Sequence, residues 1–157
     1  SRASNAAIWN NTDPTSSVFS LGSNSTVNDS GATYIAYCFA PVQGFSKFGY
    51  YNGTANATTA PFIYTGFAPA FFLIKMVNSN DSWFYYDNNR SPFNIRGKYL
   101  VADGSGTNSS ADFCDFLSNG IKIRTTASAL NGSHEFIYMA FAEAPLVGSN
   151  NVPATAR

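Results

Sequence analysis

The chain has 157 residues, of which 11% are charged and 16% aromatic, and nine Lys+Arg balance nine Asp+Glu. An ordinary soluble domain carries roughly 25% charged residues, so this one relies on neutral polar side chains: Ser, Thr and Asn supply 19, 12 and 17 residues. The composition argues against disorder, which lacks aromatics, against a basic nucleic-acid-binding surface, and, with two Glu and four Lys, against a helical bundle.

The first residues, Ser1-Arg2-Ala3-Ser4, lack Met and carry no signal-peptide pattern. They read as the start of a fragment or a processed product. Asp13-Pro14-Thr15 reads as a turn, with a single helical turn as the alternative. No stretch shows helical periodicity. Gly, Pro and the Asn-Gly or Asp-Gly pairs at 52, 103, 119 and 131 punctuate short runs rich in aromatic and β-branched residues. Strands are expected at 17–21, 33–40, 46–51, 61–65, 70–77, 83–87, 98–101, 111–117, 121–126 and 135–143. This spacing predicts an all-β fold, an antiparallel β-sandwich or jelly roll. A single domain is expected over residues 9–146, with an arm at 1–8 and a tail at 147–157.

Three stretches carry more detail. Residues 70–76 are apolar until Lys75, as in a central strand covered on both faces. No apolar run approaches the roughly 20 residues of a membrane span; the longest, residues 68–74, contains Pro69. The clearest hairpin is 115–124, with Asn119-Gly120 expected at the turn because that pair tolerates positive φ. After it Ile121 and Ile123 alternate with Lys122 and Arg124. Finally, Tyr34-Ile35-Ala36-Tyr37-Cys38-Phe39-Ala40-Pro41-Val42 echoes Tyr138-Met139-Ala140-Phe141-Ala142-Glu143-Ala144-Pro145-Leu146, with four of nine positions identical. The echo predicts two related strands, each stopped by proline.

Catalytic chemistry finds little support. His134 is the one histidine and sits beside a turn; no Gly-x-Ser-x-Gly elbow is present. Glu135 and Glu143 share a predicted strand but lie roughly 26 Å apart at strand rise, beyond the ~5–9.5 Å of glycosidase pairs. No P-loop, dinucleotide fingerprint or EF-hand loop occurs. The run Asp103-Gly104-Ser105-Gly106-Thr107-Asn108 reads as a flexible loop, with calcium as the alternative. Catalytic residues, metal ligands and cofactors are therefore all expected to be none. Cys38 and Cys114 lie among aromatic and apolar residues and read as buried free thiols. Eight Asn-x-Ser/Thr sequons, at Asn10, Asn24, Asn28, Asn52, Asn56, Asn80, Asn108 and Asn131, read as products of turn chemistry, with glycan acceptors as the alternative.

The most informative segment is Asp81-Ser82-Trp83-Phe84-Tyr85-Tyr86-Asp87-Asn88-Asn89-Arg90. Alternation places Trp83, Tyr85 and Asp87 on one face and Phe84 and Tyr86 on the other. Aromatic rings beside amides and a guanidinium suit a subunit interface or a sugar platform, and they equally suit a sandwich core. Trp83, Tyr85, Tyr86, Asn88 and Arg90 are the candidate interface or ligand residues.

A resemblance adds a setting. Its residues are Trp9, Asp13-Pro14-Thr15-Ser16-Ser17-Val18-Phe19-Ser20-Leu21-Gly22, Tyr34 through Ala40, Ser46-Lys47-Phe48-Gly49, Pro61-Phe62-Ile63-Tyr64-Thr65-Gly66-Phe67 and Pro69-Ala70-Phe71. Arg90-Ser91-Pro92-Phe93-Asn94, Asp115 through Gly120 and Ile137 through Glu143 complete it. Over residues 9 to 145 the chain resembles a domain of unknown function common in tailed phages, especially marine ones, and in prophages. That domain occurs in virion proteins such as tail fibres, often after concanavalin-like lectin domains. The resemblance implies a non-enzymatic virion module located on the phage particle, extracellular. It implies a homo-oligomer, with a trimer favoured, partnered by itself, by other virion proteins and by a host-surface glycan. A capsid-decorating or head-fibre protein and a carbohydrate-binding or depolymerising tip are the alternatives. The resemblance brings no catalytic residue. Ala68 stands where that domain often has Arg after Gly-Phe, and the tail 147–157 is particular to this chain.

Overall fold

A computed structural model describes residues 5–77, 79–104, 109–143, 146–147 and 153–154. The chain divides into two compact units, Ser1–Phe39 and Ala40–Arg157.

The first unit contains two single-turn helices, α1 (Ala6–Trp9) and α2 (Ser25–Asn28). Each starts on an asparagine whose side chain accepts a backbone N–H two residues on: Asn5 from Ala7 and Asn24 from Thr26. This is helix capping, and it supports the turn-chemistry reading of the Asn24 sequon. Thr15 closes a turn at 15–18, its hydroxyl accepting the Ser17 and Val18 amides. The strand expected at 17–21 does not form: the turn takes up its first residues. Gly22 lies against the Ala6 and Ala7 backbone, where a Cβ would collide, and its N–H donates to Ile8 O. The Tyr34 hydroxyl donates to Ser25 O at 2.6 Å and accepts the Asp29 amide at 2.9 Å. No large apolar side chain described in this unit is buried. The strand expected at 33–40 is absent too; residues 32–41 pass without a strand, turn or bend.

The second unit carries the strands: β1 (Ser46–Asn52), β2 (Phe62–Tyr64), β3 (Pro69–Met76), β4 (Phe84–Asp87), β5 (Arg96–Val101), β6 (Ser109–Leu117), β7 (Gly120–Ile123), the one-turn helix α3 (Ser128–Asn131), β8 (Glu135–Ala142), and the short pair β9 (Leu146–Val147) and β10 (Pro153–Ala154). The architecture is all-β. One eight-stranded sheet runs in the order β1-β8-β3-β4-β5-β6-β7-β2, and every neighbouring pair is antiparallel. Its two ends approach each other: the Lys47 ammonium on β1 donates to Tyr64 O on β2 at 2.8 Å and lies 5.0 Å from the Tyr64 ring centroid.

One face of the sheet encloses the core. Along β3, Phe72, Ile74 and Met76 point inward; along β8, Phe136 and Ala140; on β7, Ile121 and Ile123. That is the period-two pattern of a strand with one face buried. Tyr51 stacks on Phe136 with centroids 5.0 Å apart, and its hydroxyl donates to Leu130 O at 2.7 Å, joining β1 to α3. Asn131, fully buried, accepts the Thr54 amide at 2.8 Å and donates to Thr125 O at 2.7 Å and Asn56 O at 3.1 Å. Its sequon is therefore a structural asparagine shielded from solvent.

The 115–124 hairpin forms, with the turn one residue earlier than expected. Leu117 pairs with Gly120, leaving Ser118 and Asn119 as the turn. Gly120 belongs to β7, and its φ is not positive. Glycine is needed there for space: a Cβ would run into the Ile63 carbonyl and the Phe62 ring of β2.

Candidate interaction face

The sheet's second face, across β1, β8, β3 and β4, is also aromatic. Strand register puts Phe48, Met139, Leu73 and Tyr85 in one row and Phe141, Phe71 and Asp87 in the next. Their rings interlock. Phe48 and Phe141 meet edge to face at 5.8 Å, while Phe141 and Phe71, 6.0 Å apart, and Phe71 and Tyr85, 5.7 Å apart, are tilted to each other. Phe45 adds a further edge contact to Phe141 at 5.8 Å. All of these side chains are half-buried. Such pairs add about 0.5–1.5 kcal/mol each beyond the area they bury.

Trp83 stands just before β4 and is placed by its amide, which donates to the Asp103 carboxylate at 3.1 Å. With Phe48, Leu73, Ile137 and Met139 it lines an apolar cleft of about 280 Å³ on this face. Tyr85 sits next to it. The Arg90 guanidinium lies 5.3 Å from the Tyr85 ring centroid and forms an ion pair with Asp87. The Arg90 amide also donates to the Asp87 carboxylate at 2.8 Å. Trp83, Tyr85 and Arg90 thus share one face, as alternation predicts for the first two.

Tyr86 does not join them. It is fully buried on the core face, packed near Phe72, Tyr99 and Phe113. Burial pushes its phenol well above the ordinary tyrosine range. Its place as a candidate surface residue is corrected by strand geometry, since neighbours on a strand face opposite ways. Asn88 follows β4, its amide donating to Ala70 O at 3.0 Å, with Oδ1 buried and without a hydrogen-bond partner among the described residues. Its backbone N–H thus extends the β3–β4 ladder by one bond.

The sequence reading misses a second cluster. Arg96, Cys114 and Asp115 are all buried where β5 meets β6. The Arg96 guanidinium lies 5.0 Å from the Phe116 ring centroid, and its Nε and Nη1 find no hydrogen-bond partner among the described residues. Burial lowers the Arg96 pKa, opposed by nearby Cys114 and Asp115. Asp115 accepts the exposed-side Arg124 Nε at 2.7 Å. Burial, reinforced by Asp115 and opposed by Arg96, pushes the Cys114 thiol well up, so it is a protonated, inert sulfur. Cys114 is buried as expected. Cys38 is exposed, because the segment carrying it enters no sheet. Nothing in the spacing of Arg96 and Asp115 signals their meeting; the β5–β6 register creates it.

Other chemical candidates stay apart. His134 is exposed beside α3. Among the described residues no three His, Cys, Asp or Glu side chains converge, and no helix is long and apolar enough to cross a membrane. Residues 105–108 of the Gly-rich loop lie outside the described residues. A polar cleft of about 390 Å³ lies where the sheet's ends approach, lined by Gln43, Ser46, Lys47, Tyr64 and Thr65.

A family model covers residues 1–145, nearly the whole chain. The chain belongs to the family described as Domain of unknown function (DUF7483). The match spans both units and the whole aromatic face. No curated protein and no solved structure matches the chain.

Proposed function

We propose that this DUF7483 domain is a non-enzymatic structural module of a phage virion, a tail-fibre or similar appendage domain that assembles with copies of itself and contributes to host-surface attachment. The sequence resemblance supplies the virion setting. The observation that carries the assembly reading is the outward aromatic face, Phe48-Phe141-Phe71-Tyr85 with Trp83 and the apolar cleft beside it. Apolar rows of this kind mark protein contact surfaces, and aromatic and Arg side chains dominate interface energetics. A sugar stacking on Tyr85 would have to displace the Arg90 guanidinium over that ring, so a protein surface fits the face better. A trimer is the favoured assembly.

A carbohydrate-binding tip is the second reading. The polar cleft beside exposed Tyr64, with Lys47 and Gln43 on its wall, favours it. Sedimentation velocity of the full chain and of Trp83→Ala and Tyr85→Ala, with far-UV circular dichroism as fold control, tests the first reading. An oligomer that the substitutions dissociate while the fold persists supports assembly through this face. A wild-type chain that stays monomeric at every concentration overturns it. Glycan-array silence with assembly intact counts against the tip reading.

A further inference from the structure

The segment 33–38 is built like a strand and pairs with no strand among the described residues. Tyr34 is anchored by its hydroxyl to Ser25 and Asp29. From there the backbone runs without turn or bend to residue 41. None of residues 35 to 38 hydrogen-bonds to any described residue. Water can satisfy those amides and carbonyls. Water is a poor partner for the side chains, since Ile35 and Tyr37 are 78% and 80% exposed.

The pattern of this segment already has a place in the fold. It repeats 138–142 of β8 residue for residue in kind: Tyr34 for Tyr138, Ile35 for Met139, Ala36 for Ala140, Tyr37 for Phe141. In β8 the Tyr and Ala positions face inward. Tyr138 lies over Gly49, where a Cβ would come within 2.9 Å of its hydroxyl, and Ala140 is fully buried. Met139 and Phe141 face outward into the aromatic row. The sheet of this chain thus accepts a strand of this pattern, with its Tyr and Ala inward and the residues between them outward, and it ends on two terminal strands, β1 and β2.

We propose that residues 33–38 are a donated strand, which pairs through its main chain with the sheet of a second copy of this chain. An exposed row of unpaired N–H and C=O groups is a template for strand addition. The echo of β8 points to this fold's own sheet as the acceptor, because β1 and β3 both pair with a strand of that pattern. Donation from each copy to the next is a heterologous contact, which closes into a ring when the rotation allows. The inference rests on the assembly reading for the existence of an oligomer and adds how the copies join.

The test uses the full chain. Ala36→Pro removes one donor that makes no hydrogen bond within the described chain, so monomer circular dichroism and thermal midpoint should be unchanged while sedimentation shifts to monomer. Independently, hydrogen exchange of the wild type should show the amides of 35–38 at least tenfold more protected in the oligomer than in diluted monomer. A wild-type oligomer in which these amides exchange at unprotected rates overturns the proposal, whatever Ala36→Pro does to the fold. If Tyr85→Ala dissociates the oligomer and Ala36→Pro leaves it intact, the donated strand falls and the aromatic-face reading stands. A wild-type monomer at every concentration sinks both.

Discussion

Two stretches of this chain share a sequence pattern and have opposite fates. Residues 138–142 lie in β8, paired to β1 on one side and β3 on the other, with Ala140 fully buried. Residues 34–38 carry the same Tyr-x-Ala pattern, and every one of them is exposed. Local propensity is shared, so it does not decide the outcome. What differs is the neighbourhood: β8 has a strand on each side and a core beneath, and the earlier copy has no strand partner among the described residues. Strand preference measures fit to a pleated, half-buried surface, and the two runs separate that fit from the residues themselves.

The largest effect expected lies under β8. Phe72 on β3 is fully buried and packs against Tyr86, Phe116 and Tyr138. Phe72→Ala should cost about 3–5 kcal/mol by urea unfolding. A loss under about 1 kcal/mol would show that β3 does not sit in the middle of the packed sheet. Asn131 comes next. Its carboxamide ties the 52–56 loop to the chain around α3 through four groups, Thr54 N, Thr54 Oγ1, Asn56 O and Thr125 O. At about 1 kcal/mol net per buried hydrogen bond, Asn131→Ala should lose roughly 2–3 kcal/mol, whereas Asn119→Ala at the exposed hairpin turn should lose far less. Equal losses at the two sites would deny Asn131 its structural role.

A matched pair of substitutions tests the comparison directly. Ala140→Leu forces three extra carbons into the core and should destabilise by about 1–3 kcal/mol. Ala36→Leu, at the equivalent position of the echo, should change monomer stability by no more than about 0.5 kcal/mol. If both cost the same in a monomer, the earlier run is packed in its own chain and the contrast is lost.

How far the sequence reveals this architecture follows the same logic. Strands β1 to β8 are legible because alternation or dense apolar character survives in isolation, as in Ile121-Lys122-Ile123. The face assignment at Trp83, Tyr85 and Tyr86 is legible as a division. Which side is core is not, since that depends on β3 and β5 lying on either side of β4. Residues 33–40 mislead because a strand's sequence is present but no strand pairs with it among the described residues. Gly120 misleads in another way: Asn-Gly signals a turn, while the glycine is demanded by the close approach of β2, its neighbour in the sheet and more than fifty residues away in sequence. The Arg96–Cys114–Asp115 meeting and the buried Asn131 leave no local signal, because register and loop closure alone assemble them.

The two cysteines extend the contrast to chemistry. Cys38 lies in the unpaired run and is exposed; Cys114 is buried on β6. A thiol-specific reagent added to folded monomer should label Cys38 at once and Cys114 only at the rate of unfolding. Burial also holds the Cys114 thiol protonated far above its ordinary range. The unfolded thiol ionises near pH 8.5, so above that pH the unfolded state releases a proton that the folded state keeps. The stabilisation is therefore complete below about pH 8.5 and lost as pH rises. With reductant present, wild-type stability should drop by about 1.4 kcal/mol between pH 7 and pH 9.5 from this group. Cys114→Ala should remove that part of the drop, and Cys38→Ala should leave it in place. A drop that follows Cys38 instead would place the protected thiol in the first unit and reverse the assignment of which run is packed.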